Sequence, residues 1–155
     1  MPFKRILVPF DTSELSVKAL EKAMELSAEN QTQIFILHVI NEIPIPIRYS
    51  KIESKNNEVT ITPLAKKIHE EIKNEMILIL EDVKNKYATN YISISTEIKI
   101  GDPVEMIVDF AKQNNIELIV MGSIGHKGIT GMFKRLGSVA RRIVEEVEIA
   151  VLIVR

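Results

Sequence analysis

Met121 to Val139 reads MGSIGHKGITGMFKRLGSV. An apolar run precedes it, Ile116 to Met121, broken only by Glu117. A helical pattern follows through Val139, Ala140, Ile143, Val144 and Val147. The order is strand, long glycine-bearing loop, helix. Glycines at 122, 125, 128 and 131 let the backbone come close to a ligand. Gly137 and Ser138 stand where the helix starts, with Ser138 expected to cap it. The first helical turn leaves N–H groups unpaired at the positive end of the helix dipole, which suits phosphate. Lys127, Lys134, Arg135, Arg141 and Arg142 lie between Gly122 and Val144, and no Asp or Glu does. An anion is the natural partner of such a stretch; the plainer alternative is a solvated surface loop.

The chain has 155 residues, which predicts one domain over 1–155 with a real core. Its 46% hydrophobic and 26% charged content is that of a soluble globular protein. No apolar run reaches the ~18 residues of a membrane span, and the N-terminal apolar stretch, ended by Asp11, is too short for a signal peptide. The absence of cysteine excludes disulfides, thiol catalysis and cysteine metal sites, and fits a cytoplasmic protein. A net charge of −1 argues against general nucleic-acid binding.

In chain order, residues 3–9 form a strand around Ile6, Leu7 and Val8, ending at Pro9. Asp11 or Ser13 caps a helix over 13–29, with its apolar stripe on Leu15, Ala19, Leu20, Ala23, Met24 and Leu26. Gln33 to Ile40 is a second buried strand. Asn41 to Thr62 carries two prolines and little periodicity. A long helix runs from Pro63 to Tyr87, with Leu64, Ile68, Ile72, Met76, Leu80, Val83 and Tyr87 on its apolar side. Tyr91 to Ile100 alternates as a third strand. Asp102 caps a helix over 103–114, Pro103 taking its first position and Asn114-Asn115 ending it. Strand four is 116–121, the next helix 138–147, and strand five 149–154. Strands alternating with helices predict a parallel sheet covered on both faces, an α/β fold. Ligands of such sheets bind at strand carboxyl ends. Pro9 to Ser13, Val39 to Glu42 and Met121 onward all lie there.

ILVPFD at 6–11, ILHVI at 36–40, GDPVEMIVDFAKQNNIELIVMGSIG at 101–125 and GSVARRIVEEVEIAVLIVR at 137–155 together resemble the universal stress protein family. The resemblance implies an adenine nucleotide alpha-hydrolase-like, three-layer fold with a five-stranded parallel sheet in the order 3-2-1-4-5. It also implies a stress-response regulator that binds ATP and pairs as a homodimer. The ATP-binding pattern of the family is Gly, two residues, Gly, nine residues, Gly, then Ser or Thr. Here Gly122, Gly125, Gly137 and Ser138 match, but eleven residues separate Gly125 from Gly137. Two more residues cost only about 0.2 kcal/mol of closure entropy. Geometry decides instead: the extra length either bulges around Gly128 and Gly131 or fills the phosphate site.

By matched position, Asp11 would be the acid near the ribose and adenine, with Pro9 and Phe10 lining that end. Val39 would bond the adenine edge through its backbone. Met121 and Gly122 would flank the ribose and phosphates, and Gly125, Gly137, Ser138 and Val139 would offer backbone N–H groups, with the Ser138 hydroxyl added. Without a ligand, Asp11 is a helix cap, Val39 ordinary core and Gly137 a turn residue. The same resemblance makes strand 149–154 a free edge that would pair with its copy, burying Val151 and Ile153.

No P-loop and no dinucleotide-binding glycine motif is present. His38 reads as a strand residue near the core, His69 as a helix-surface residue and His126 as a loop residue. No His/Asp/Glu group has metal-ligand spacing, so Mg²⁺ would come with the nucleotide. Asp11 has no acidic neighbour at 10 or 12, unlike the acidic pair of a receiver domain. No residue is nominated as a general base, so catalysis beyond slow ATP hydrolysis is not expected.

Overall fold

A computed structural model of the chain describes residues 3–27, 31–42, 63–124 and 136–155. Five parallel strands, β1 (Arg5–Pro9), β2 (Thr32–Ile40), β3 (Ile92–Ile100), β4 (Leu118–Gly122) and β5 (Ala150–Val154), form one sheet in the order 3-2-1-4-5. Helices α1 (Glu14–Ser27), α2 (Pro63–Tyr87), α3 (Pro103–Gln113) and α4 (Ser138–Glu146) connect them, apart from the 43–62 stretch, which lies outside the described residues.

β1 is central and its side chains divide the core. Ile6 and Val8 face the layer that holds Ala19, Leu20 and Ala23 of α1 and Leu80 of α2. Leu7 faces Val104, Ile107 and Ala111 of α3 and Ala140 and Ile143 of α4. A strand covered on both faces needs a continuous apolar run, which is what Ile6-Leu7-Val8 supplies. On the second face, Phe35 and Phe110 meet edge to face, 5.7 Å between centroids.

The helix ends follow local chemistry. Asp102 caps α3, its Oδ1 accepting from Val104 N and Glu105 N at 3.1 Å each. Asn115 leaves α3 in the left-handed region, φ 49°, and Ile116 N–H reaches back to the Ala111 carbonyl at 3.0 Å.

α2 has the expected bounds, and Met76, Leu80, Val83 and Tyr87 of its expected stripe pack on the core, but the N-terminal half turns a different face inward. Ala65, His69 and Leu80 are buried, whereas Leu64 is 67% exposed and Ile72 lies at the surface. Each step of four residues rotates the side chain by about 40° around the axis, so Leu64 and Ile68 stand off the line of Leu80 and Val83. His69, expected at the surface, is 6% exposed, and among the described residues its Nε2 has no hydrogen-bond partner. Among the described residues, no helix is long and apolar enough to cross a membrane.

Asn115→Ala, which puts a Cβ-bearing residue without a compensating amide in a left-handed position, should lower unfolding stability by about 1 kcal/mol, while Asn115→Gly should lose none. Urea midpoints with unchanged slope would register both.

Candidate functional site

Because all strands are parallel, β1, β2 and β4 end on one edge, and α1, α3 and α4 start there. The β1–β2 ladder closes with Phe10 N–H donating to the Leu37 carbonyl at 2.9 Å. Phe10 is 4% exposed, and its ring joins the α1/α2 core, so it does not line an open face as expected. Pro9, half-buried, is the last paired residue of β1, opposite Leu37.

Past Phe10 the chain turns away. Thr12 has φ 67°, unusual for a β-branched residue. Asp11 Oδ1 accepts from Ser13 N at 3.0 Å, and Ser13 Oγ accepts from Ser16 N at 3.2 Å. Of the two expected caps, Ser13 is therefore the one that closes α1. Asp11 folds the connection just before it. Glu14 follows in the first turn, and the hydrogen bond and charge of Lys18 hold its carboxyl below the usual carboxylate range.

β2 continues three residues beyond its last pair with β1. Ladder alternation sends the N–H and C=O of Gln33 and Leu37 toward β1, and those of Ile40 toward β3. The same alternation sends both groups of Val39 toward β1, which has already ended. Among the described residues neither group has a hydrogen-bond partner. The Val39 side chain packs against the α3/α4 core.

On the other side of β1, the Met121 side chain is buried in the α3/α4 core, so only its backbone reaches the edge. Gly122 packs against α1: a Cβ there would stand 2.8 Å from Leu15 Cβ. Ser123 N–H donates to the Val154 carbonyl at 2.8 Å, and Gly137 N–H donates to the Ser123 carbonyl at 2.7 Å. One bond thus joins the two roots of the glycine loop, and whether the added length bulges out or fills the phosphate site lies outside the described residues. Gly125, His126, Lys127, Gly128, Gly131, Lys134 and Arg135 lie outside the described residues.

Two expectations at α4 change. Gly137, not Ser138, is the N-cap, at φ −62° and ψ 163°, and no side chain among the described residues caps the helix. The Gly137 amide is committed to Ser123, so it is not a free donor. The first helical bond is Arg141 N–H to the Gly137 carbonyl, 3.0 Å. Helix geometry then leaves the N–H groups of Ser138, Val139 and Ala140 without an intrahelical acceptor. The α4 first turn has no acid, and Ser138 is exposed. Arg142, counted among the anion-facing cations, instead pairs with Asp102 at 3.7 Å and Glu146 at 3.3 Å.

Two further residues belong to this edge and were not singled out as site residues from the sequence: Ser123 and His38. His38 Nδ1 lies 2.7 Å from the Phe10 carbonyl. Its position next to Val39 was the available signal. No group of three or more metal-binding side chains occurs among the described residues.

Comparisons with known proteins agree with this architecture. Residues 2–155 match the profile of the Universal stress protein family. Universal stress protein YxiE of Bacillus subtilis is 34% identical over 155 residues, covering 99% of each chain. The structure of universal stress protein UspA from Lactobacillus plantarum superposes with a TM-score of 0.83 at 22% identity, over 100% of this chain and 99% of that one. The structure of MJ0577, from Methanocaldococcus jannaschii, gives 0.80 at 25% identity, covering 99% and 96%.

Gly122→Ala should force the start of α1 off β4 and lower stability by about 1–3 kcal/mol, because Leu15 Cβ is fixed to its backbone and has no rotamer to yield. Thermal unfolding would measure it, with Gly137→Ala, whose nearest contact is 3.3 Å, as the milder comparison. By sequence and by fold, the chain belongs to the universal stress protein family.

Proposed function

We propose that this chain, a single domain over 1–155, is a nucleotide-binding regulatory protein of the stress response, and that ATP with its Mg²⁺ is the ligand. The observation that carries the reading is two open features on one sheet edge: the unbonded N–H and C=O of Val39, and the uncapped start of α4. The adenine edge offers an amino donor beside a ring-nitrogen acceptor, which complements a C=O and N–H of one residue. Phosphate complements the amides of Ser138 and Val139 and the Ser138 hydroxyl. Pro9, Asp11, Met121 and Gly122 would border the ribose between them, and Gly125 would add the loop. Nucleotides have precedents on this fold: one universal stress protein structure is described as a complex with cAMP and one, from Arabidopsis thaliana, with AMP bound.

The chain lacks Trp and has only three Tyr, so co-purified nucleotide would move its absorbance maximum toward 260 nm. Ser138→Pro tests the phosphate end. Proline suits the first helical position and removes one N–H and the hydroxyl. The fold should hold, and ATP affinity measured by calorimetry should fall about tenfold or more. Unchanged affinity would remove α4 from the site.

We also propose a homodimer through β5. Val154 turns its carbonyl toward β4, so alternation turns the N–H and C=O of Val151 and Ile153 outward from the sheet edge. The side chains of β5 are only partly buried. Antiparallel pairing with a second copy would satisfy these groups. Val151→Pro deletes an outward N–H and no ladder bond. Sedimentation at micromolar concentration should show a dimer for the parent chain and a monomer for this variant. Such a dimer without nucleotide would leave a scaffold role as the function.

A further inference from the structure

We propose that His38 is a positioning residue that keeps the Val39 backbone edge open. Its functional meaning rests on the nucleotide reading above; its structural content does not.

The parallel β1–β2 ladder advances by a fixed rule. Gln33 N–H donates to the Lys4 carbonyl, and the Leu37 carbonyl accepts from Phe10 N–H. One step further, the rule assigns Val39 N–H to the Phe10 carbonyl. That carbonyl is instead bonded by the His38 imidazole, at 2.7 Å, and Val39 N–H makes no bond to it. A carbonyl oxygen only accepts, so Nδ1 carries the hydrogen. The bond comes from the α1/α2 side of the sheet. His38 alternates with Val39, whose side chain is on the α3/α4 side, and Phe10 is itself in the α1/α2 core. The imidazole therefore satisfies a part-buried carbonyl that would otherwise need the Val39 amide, and it does so without occupying the opened edge. Phe10 anchors the carbonyl, and the left-handed Thr12 carries the chain away before it extends the ladder.

The arrangement also fixes the tautomer. Free neutral imidazole prefers the hydrogen on Nε2, and here Nδ1 must hold one.

Two measurements on the ¹⁵N-labelled full chain without nucleotide test the structural part. Long-range imidazole spectra should show His38 with hydrogen on Nδ1, and a neutral ring with hydrogen on Nε2 alone would overturn the proposal. Amide exchange should be fast at Val39 against Leu37. In His38→Phe the Val39 amide should recapture the Phe10 carbonyl and slow by about tenfold or more. His38→Asn, which places an amide nitrogen near the Nδ1 position, should keep it fast. A protected Val39 amide in the parent chain, or no slowing in a folded His38→Phe, would overturn the proposal. ATP calorimetry then separates the two readings. Affinity lost in His38→Phe and retained in His38→Asn supports both. The expected exchange pattern with a parent chain that binds no ATP keeps the positioning role and removes the nucleotide.

Discussion

β1 is five residues long and β2 is nine, and the candidate site follows from that mismatch. β1 lies between two ladders with Ile6, Leu7 and Val8 fully buried, so its backbone has no freedom to shift. Where it stops, β2 continues with β3 alone through Ile40 and Ile100. A backbone amide left unbonded and dry costs roughly 1–3 kcal/mol, so the side of Val39 left open by the described residues is a place where water or a ligand would be stabilised. The sheet thus holds a donor and an acceptor one step beyond its central strand, at the point where the connections diverge to opposite faces.

Ser123 ties this edge to the rest of the molecule. Its amide holds the end of β5 and its carbonyl holds the start of α4, at 2.8 and 2.7 Å. The glycine loop, the α4 start and the free sheet edge therefore share one peptide-sized junction. Gly122 beside it lets α1 pack directly on β4, which brings the β1 and β4 exits together.

Much of this could be read from the sequence, for physical reasons. Buried strands are short apolar runs, and all five appear within two residues of their expected bounds. Asp102-Pro103 and Asn114-Asn115 mark α3 through cap chemistry that is local to them. The strand order came from the family resemblance, since periodicity does not encode which strands are neighbours. The C-terminal half of the α2 stripe, Met76 to Tyr87, packs on the core, but in the N-terminal half a step of four residues rotates off the helix seam, and Ala65 and His69 hold it there. Which of Gly137 and Ser138 caps α4 depends on a backbone angle, and residue type alone points to serine. Arg142 looked available because its partner Asp102 is forty positions away in sequence. Gly125, central to the motif, lies outside the described residues.

The starts of α1, α3 and α4 on the edge of the candidate site differ in one respect. α1 is closed by Ser13 with Glu14 in its first turn, and α3 by Asp102 with Glu105. Their orphan amides and dipoles already have anionic or hydroxyl partners. α4 has a glycine cap and no first-turn acid. A glycine in place of a side-chain cap forgoes only a few tenths of a kcal/mol, so this openness costs the fold little. Crowding gives a second reason for glycine: a Cβ at 137 would stand 3.3 Å from the Ser123 carbonyl that the same residue must bond. The tight closure of the loop roots and the bare helix start are consequences of one residue. A capping serine or aspartate at 137 would press on that closure and take up an open amide itself.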